Sequence, residues 1–314
     1  MDYIVFDLEW NQCPYGKEKE NKKLPFEIIE IGAVKLNDHR EVVDEFHQVI
    51  RPVVYHQLHF KTREILSIRE EELKKGTPFQ IGIQKFLDWC GEDFRFCTWG
   101  TLDLMELQRN MKFYKQLSLL KGPIYYFDIQ KLFSIEYEDR KRRRSLEDAI
   151  DHLHIEKDCG FHRALNDAHY TAEVLRKMSL ETVLSNYSID HYQNPKNRRQ
   201  EIYAVYKDYS KYISKEFNSK EDAMKDREVV TTRCFLCGEN AKKKIRWFSS
   251  GTKSHFCLAK CPEHGYLKGK IRMKKTEDGK IYVVKTIRLI GEEDVQNIRD
   301  KKESVKKKRR EKRK

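Results

Sequence analysis

Long apolar runs are missing from this chain. Of its 314 residues 36% are charged against 39% hydrophobic, and no stretch approaches the roughly 18 apolar residues that a bilayer-spanning helix needs. Room for a secretory leader is missing too, because the run Tyr3-Ile4-Val5-Phe6 starts almost at Met1; the expectation is a cytoplasmic protein with no membrane partner. Cysteine is scarce and uneven: Cys13, Cys90, Cys97 and Cys159 are scattered, whereas Cys234, Cys237, Cys257 and Cys261 cluster. One metal site in a reducing compartment accounts for that better than a disulfide framework. No internal repeat longer than a metal knuckle is present, and low complexity is confined to the C-terminal tail.

What the chain has in excess is positive charge. The formal net charge is +13, concentrated in Lys141–Arg144 and in the last residues, Asp300 to Lys314. Such a balance favours polyanionic partners through phosphate contacts and counterion release.

The residue pattern alternates strands and helices over the first 180 residues. Strands are expected at Tyr3 to Glu9, Glu27 to Leu36, Val42 to Ile50, Phe94 to Trp99 and Tyr125 to Asp128; helices at Phe79 to Cys90, Leu102 to Tyr114, Leu146 to His152 and Ala164 to Met178. This order predicts a mixed, largely parallel sheet covered by helices, with its site at strand ends.

Four carboxylates and a histidine sit at such ends. Asp7 and Glu9 close an apolar strand two residues apart, so both side chains share one face about 6–7 Å apart. Two like charges there call for a divalent cation, and hard oxygen ligands select Mg²⁺ or Mn²⁺. Asp103 follows the Trp99-Gly100 break, in the first turn of a helix that Thr101 can cap. Asp167 lies inside the helix patterned by Ala164, Leu165, Ala168, Ala172 and Leu175, with His162 at or just before its start.

Asp7-x-Glu9, then Asp103, then His162 followed five residues later by Asp167 resembles the ordered motifs of the DEDDh 3′–5′ exonucleases. The segments Phe26–Val34, Phe127–Phe133 and Ser145–Ala149 look most like the KapD- and ERI-1-like branch. The resemblance implies an RNase H-like fold with a mixed five-stranded sheet and single-stranded RNA as the favoured substrate, with DNA as the alternative. Two-metal hydrolysis would stabilise both the attacking and leaving oxygens. Asp7 would bridge, Glu9, Asp103 and Asp167 would complete the ligand set for two Mg²⁺ or Mn²⁺ ions, and His162 would take the proton from the attacking water. A nucleic-acid-binding adaptor whose nuclease fold no longer turns over is the competing reading.

The C-terminal part carries a second metal signal. Cys234-x-x-Cys237-Gly238 and Cys261-x-x-His264-Gly265 have the same shape, as in facing zinc knuckles that close one structural Zn²⁺ site. Cys257 competes with His264 as fourth ligand. Strands are expected at Lys244 to Phe248, His255 to Ala259, Lys268 to Lys274 and Ile281 to Arg288. Lys244, Arg246, Trp247, Lys270 and Arg272, together with Trp10 beside the first motif, are the candidate nucleic-acid-binding residues.

The resulting organisation is a nuclease domain over 1–178, a helical Tyr-rich connector over 179–228, a zinc-ribbon-like module over 229–291 and a basic tail, helical or disordered, over 292–314. In the connector, Tyr203, Tyr206, Tyr209 and Tyr212 recur every third residue, which reads as one face of a helix packed on a neighbour.

Overall fold

Tyr3, Ile4, Val5, Phe6 and Leu8 are all buried, and a run apolar on both faces has to lie at the centre of a covered sheet. The computed structural model, which describes residues 1–66, 68–251 and 253–311, places it there as β1 (Asp2–Gln12). Then come β2 (Phe26–Leu36), β3 (Val42–Val49), α1 (Phe60–Ile65), α2 (Glu70–Lys74), α3 (Phe79–Cys90), β4 (Phe94–Thr98), α4 (Leu102–Phe113), β5 (Ile124–Asp128), α5 (Ile129–Tyr137), α6 (Leu146–His152), α7 (Ala164–Lys177), α8 (Leu180–Ser185) and β6 (Ser188–Asp190). The chain divides into two units, Met1–Gln193 and Asn194–Lys314.

The first unit holds a sheet of order β3-β2-β1-β4-β5-β6. Strands β1, β4 and β5 run parallel to one another; β2, β3 and β6 are antiparallel to their neighbours. The sheet thus has six strands, not the expected five. The extra strand, β6, is three residues long, too short to leave a period-two pattern. Lys131 fixes it in place, its Nζ donating to the Asn186 and Tyr187 carbonyls and to Ser188 Oγ.

Alternation along β1 sorts the core into two layers. Ile4, Phe6 and Leu8 pack with Phe86, Leu104 and Leu107 of α3 and α4. Tyr3 and Val5 pack with Leu132, Ile150, Ala168 and Leu175 of α5, α6 and α7. Asp7 and Glu9 continue this second face, so apolar packing gives way to carboxylates just where the strand reaches the first turn of α7.

The second unit contains β7 (Ile202–Val205), β8 (Tyr209–Ile213), α9 (Lys220–Lys225), α10 (Arg227–Val230), β9 (Lys242–Ser249), β10 (Ser254–Cys261), β11 (Gly265–Lys275), β12 (Ile281–Leu289) and α11 (Glu292–Glu311). Its antiparallel sheet has the order β7-β8-β12-β11-β10-β9. The four expected strands are present. The tyrosines of 203–212, however, form a hairpin rather than a helix: Tyr203 faces Tyr212 across β7 and β8, and the Tyr206 and Tyr209 rings stack at 4.4 Å. Three-residue spacing centred on a two-residue turn is mirror-symmetric, so it mimics a helical stripe. The basic tail is helical through Glu311, and its residues 312–314 lie outside the described residues.

Candidate nuclease and metal centres

Strand β2 builds the site from below. Gly32 pairs with Asp7 and Glu30 pairs with Glu9. A Cβ on Gly32 would come within 2.0 Å of the Leu165 amide nitrogen, so only glycine lets α7 set its first turn against the strand at Asp7. Glu30 then anchors that turn. Its Oε2 accepts from the Ala164 amide at 3.1 Å, while Oε1 accepts from Arg163 Nε and Nη2 at 2.9 and 2.7 Å and lies 2.6 Å from His47 Nε2. Arg163 makes no side-chain cap of its own. The α7 N-terminus is capped instead by a carboxylate from the sheet, which suits the helix dipole.

His162 precedes that clamp in the left-handed region, at φ 65°, a conformation that costs a non-glycine residue about 1 kcal/mol or more. Its amide donates to Asp167 Oδ2 at 3.1 Å, which holds the strained turn while the ring stays exposed. Donor atoms of Glu9, His162 and Asp167 all lie within 4.8 Å of one another; Asp7 and Asp103 do not join that set.

Asp7 and Asp103 are nonetheless part of the same electrostatic centre. Burial, then Asp103, Glu9 and Asp167, push the Asp7 carboxyl well above the ordinary range. Burial and the charges of Asp167, Glu30 and Asp103 push Glu9 up to about 8. Asp103 is raised to about 7, chiefly by burial, against the amides of Leu8 and of its own residue; Thr101 makes no side-chain cap hydrogen bond, contrary to expectation. Asp167 is raised to about 6, again by burial, against the His162 amide. Its Oδ1 is buried with no hydrogen-bond donor. Mutually raised carboxylates and an orphaned buried oxygen are what a hard divalent cation would relieve, so the residues fit Mg²⁺ or Mn²⁺.

Among the expected nucleic-acid contacts, two aromatics are half-buried and make packing contacts. Trp10 follows a register shift in β1 and lies against Phe26 with ring centroids 5.7 Å apart, at the edge of the α3/α4 layer. Trp247 donates its indole N–H to the Val230 carbonyl at 2.8 Å and packs with Ile271 and Met273. Lys244, Arg246 and Arg272 are exposed and Lys270 is half-buried.

In the second unit, Cys234, Cys237, Cys261 and His264 offer donor atoms within 4.8 Å of one another. Gly238 and Gly265, each following its pair, have φ of 78° and 84°, as the repeated knuckle requires. The backbone amide of His264 holds the Cys261 thiol down to about 6, a thiolate suited to metal. Cys257 is outside the group: burial pushes its thiol up to about 12.

The sheet, with paired carboxylates on its β1 strand and a histidine turn before α7, has the arrangement of a nuclease. The RNase T exonuclease family model matches residues 4–175, more than half of the chain, and the chain belongs to this exonuclease family. It is 29% identical over 169 residues to the probable 3′–5′ exonuclease KapD of Bacillus subtilis (strain 168), covering 52% of this chain and 78% of KapD. The nuclease domain of 3′hExo, a DEDDh family member solved bound to rAMP, shares the fold with a TM-score of 0.50 at 22% identity, over 60% of this chain and 96% of that one. The chain is therefore a hydrolase that acts on nucleic acid. No helix among the described residues is long and apolar enough to cross a membrane.

Sequence reasoning missed Glu30, Arg163 and His47. The signal was available: an acidic residue inside Phe26-Glu27-Ile28-Ile29-Glu30-Ile31 must be either exposed or paired, and Glu30 is fully buried.

Proposed function

We propose that the chain removes nucleotides from the 3′ end of single-stranded RNA or short 3′ overhangs, with His162 as general base and with Asp7, Glu9, Asp103 and Asp167 as the residues that would hold two Mg²⁺ or Mn²⁺ ions. The observation that carries this reading is the Glu9, His162 and Asp167 group within 4.8 Å, beside a donorless Asp167 Oδ1. Bound divalent cations supply the charge that offsets the carboxylates and the developing negative charge on the phosphate.

The chain's own residues do the rest. The exposed His162 imidazole accepts the proton of the attacking water and is aimed by the Asp167 and Glu30 contacts on its turn. Burial of Asp103 and Asp167 keeps bulk water from their carboxylates. RNA as the preferred substrate rests on the resemblance to the ERI-1-like branch as a whole, and DNA is the alternative. The knuckle site in the second unit, by its Cys₃His donor set, would hold one structural Zn²⁺ with no open position for water.

The test is stepwise shortening of 5′-labelled RNA and DNA oligonucleotides with Mg²⁺. Faster trimming of RNA supports the substrate assignment, whereas equal or faster trimming of DNA reverses it. Retained binding without any shortening would leave the adaptor reading.

A further inference from the structure

Four cations alternate along β11, Lys268, Lys270, Arg272 and Lys274, and the first three lie nearest α11 and Phe256. Alternation puts them on one face of the sheet, opposite to the face where Ile271 and Met273 meet Val229 and Ala223. Register extends that face sideways. Lys270 lies across from Phe256 of β10, and Lys268 across from Arg288 of β12.

Helix α11 closes the edge of the same face. Val295 and Ile298 are buried against Ile245 and Leu258. The next position of that stripe, three residues on, is Lys301 rather than an apolar residue. Its Nζ lies 4.0 Å from the centre of the Phe256 ring, and Lys270 Nζ lies 5.7 Å from the same ring.

Ordinary surface lysines diverge into water. Here two ammonium groups converge on one phenyl ring, flanked by Lys268 and Arg272, and burial together with Arg272, Lys301 and Lys268 lowers the Lys270 ammonium from its usual value. Among the described residues the one ion pair made by these four side chains is Lys268 with Asp294, at 3.3 Å. Lys270, Arg272 and Lys301, like charges held together with no ion pair among the described residues, favour a polyanion.

Resting on the reading that the chain acts on nucleic acid, we infer that the β11–α11 face of the second unit, with Lys268, Lys270, Arg272 and Lys301 around Phe256, is the surface that grips the phosphate backbone of single-stranded nucleic acid. This differs from a surface centred on Trp247, whose ring is taken up by the opposite side of the sheet. A backbone phosphate seated between Lys270 and Lys301 would relieve their repulsion, and recognition would be insensitive to sequence because the cations meet phosphates and not base edges. Single-stranded binding of this type is strongly salt-dependent.

The experiment uses the full chain carrying Asp7→Ala, so that the oligonucleotide persists, and follows the affinity for a labelled 20-nucleotide single strand by anisotropy from 50 to 200 mM KCl. Each phosphate contact contributes about 0.7 to the salt slope for single strands. Replacing Lys268, Lys270, Arg272 and Lys301 together by Glu should lower that slope by roughly 3, which amounts to about fifty-fold less loss of affinity over this salt range. Replacement of the same four residues by Gln guards against misfolding and should give a smaller change in the same direction. Slopes unchanged in both variants overturn the inference. An intact chain that cleaves nothing, while its strand binding still depends on the four cations, would sink the nuclease reading and leave the docking face standing.

Discussion

Glu30 stands directly across from Glu9 in the β1–β2 register, yet the two carboxylates have opposite electrostatics. Burial raises both. In Glu30 the His47, Arg163 and Ala164 donors overcome it and hold the carboxyl below its usual value, whereas Glu9, beside Asp167, Glu30 and Asp103, is pushed up to about 8. One carboxylate is committed to structure, and its neighbour is the proposed metal ligand.

Glu30→Ala should therefore damage both stability and turnover. It strands the Arg163 guanidinium and uncaps α7, which is expected to cost about 3 kcal/mol in urea unfolding. The released turn carries His162, so kcat should fall with KM nearly unchanged. A loss of stability with wild-type kcat would show that Glu30 does not position the histidine.

Gly32→Ala tests the close approach of α7. With a Cβ 2.0 Å from the Leu165 amide, the helix must shift away from Asp7 and carry Asp167 with it. Overpacking of this kind costs about 1–3 kcal/mol, and Mg²⁺ affinity by isothermal titration should weaken in parallel. Unchanged Mg²⁺ affinity would mean that the helix position does not set the ligand geometry.

The carboxylate shifts fix a direction for pH. Glu9, Asp103 and Asp167 have native values of about 8, 7 and 6, above the unfolded range of about 4. The metal-free native state thus binds protons that the unfolded chain releases. Its stabilisation is complete below pH about 4 and is lost as pH rises through about 6 to 8. Thermal unfolding without added Mg²⁺ should show Tm falling over that window, and the rise in Tm on adding Mg²⁺ should be larger at pH 8 than at pH 6. A Mg²⁺ response independent of pH would argue against these groups as ligands.

At the knuckle site, elemental analysis should find one zinc per chain. His264→Ala and Cys234→Ser should lose it, while Cys257→Ser should retain it, because Cys257 stands outside the four-donor group. Zinc lost from Cys257→Ser but kept in His264→Ala would reverse the ligand assignment.

Much of this architecture was legible in the sequence because of burial. Helices α3 and α6 have the expected bounds, since each presents a clear apolar stripe between breaks, and β1 announces itself as a run apolar on both faces. The candidate site was legible through residue order, in that Asp7, Glu9, Asp103, His162 and Asp167, far apart in the chain, act on one another electrostatically in the fold. What stayed hidden depends on tertiary pairing. Strand β6 is defined by Lys131 and by β5, not by its own three residues. The tyrosine hairpin imitates a helix, and the role of Glu30 exists only once α7 lies on β2. The hydrogen bond from the Trp247 indole to the Val230 carbonyl likewise depends on the folded sheet.

The most direct measurement is single-turnover cleavage of a 5′-labelled RNA oligonucleotide with Mg²⁺ by the wild-type chain, Asp7→Ala and His162→Ala. Wild type should shorten the strand stepwise from its 3′ end, and Asp7→Ala should be inactive. His162→Ala should slow by about 10²–10⁴-fold, the usual contribution of a general base, with Mg²⁺ binding retained. Equal cleavage rates for wild type and both variants would contradict the assignment of the site.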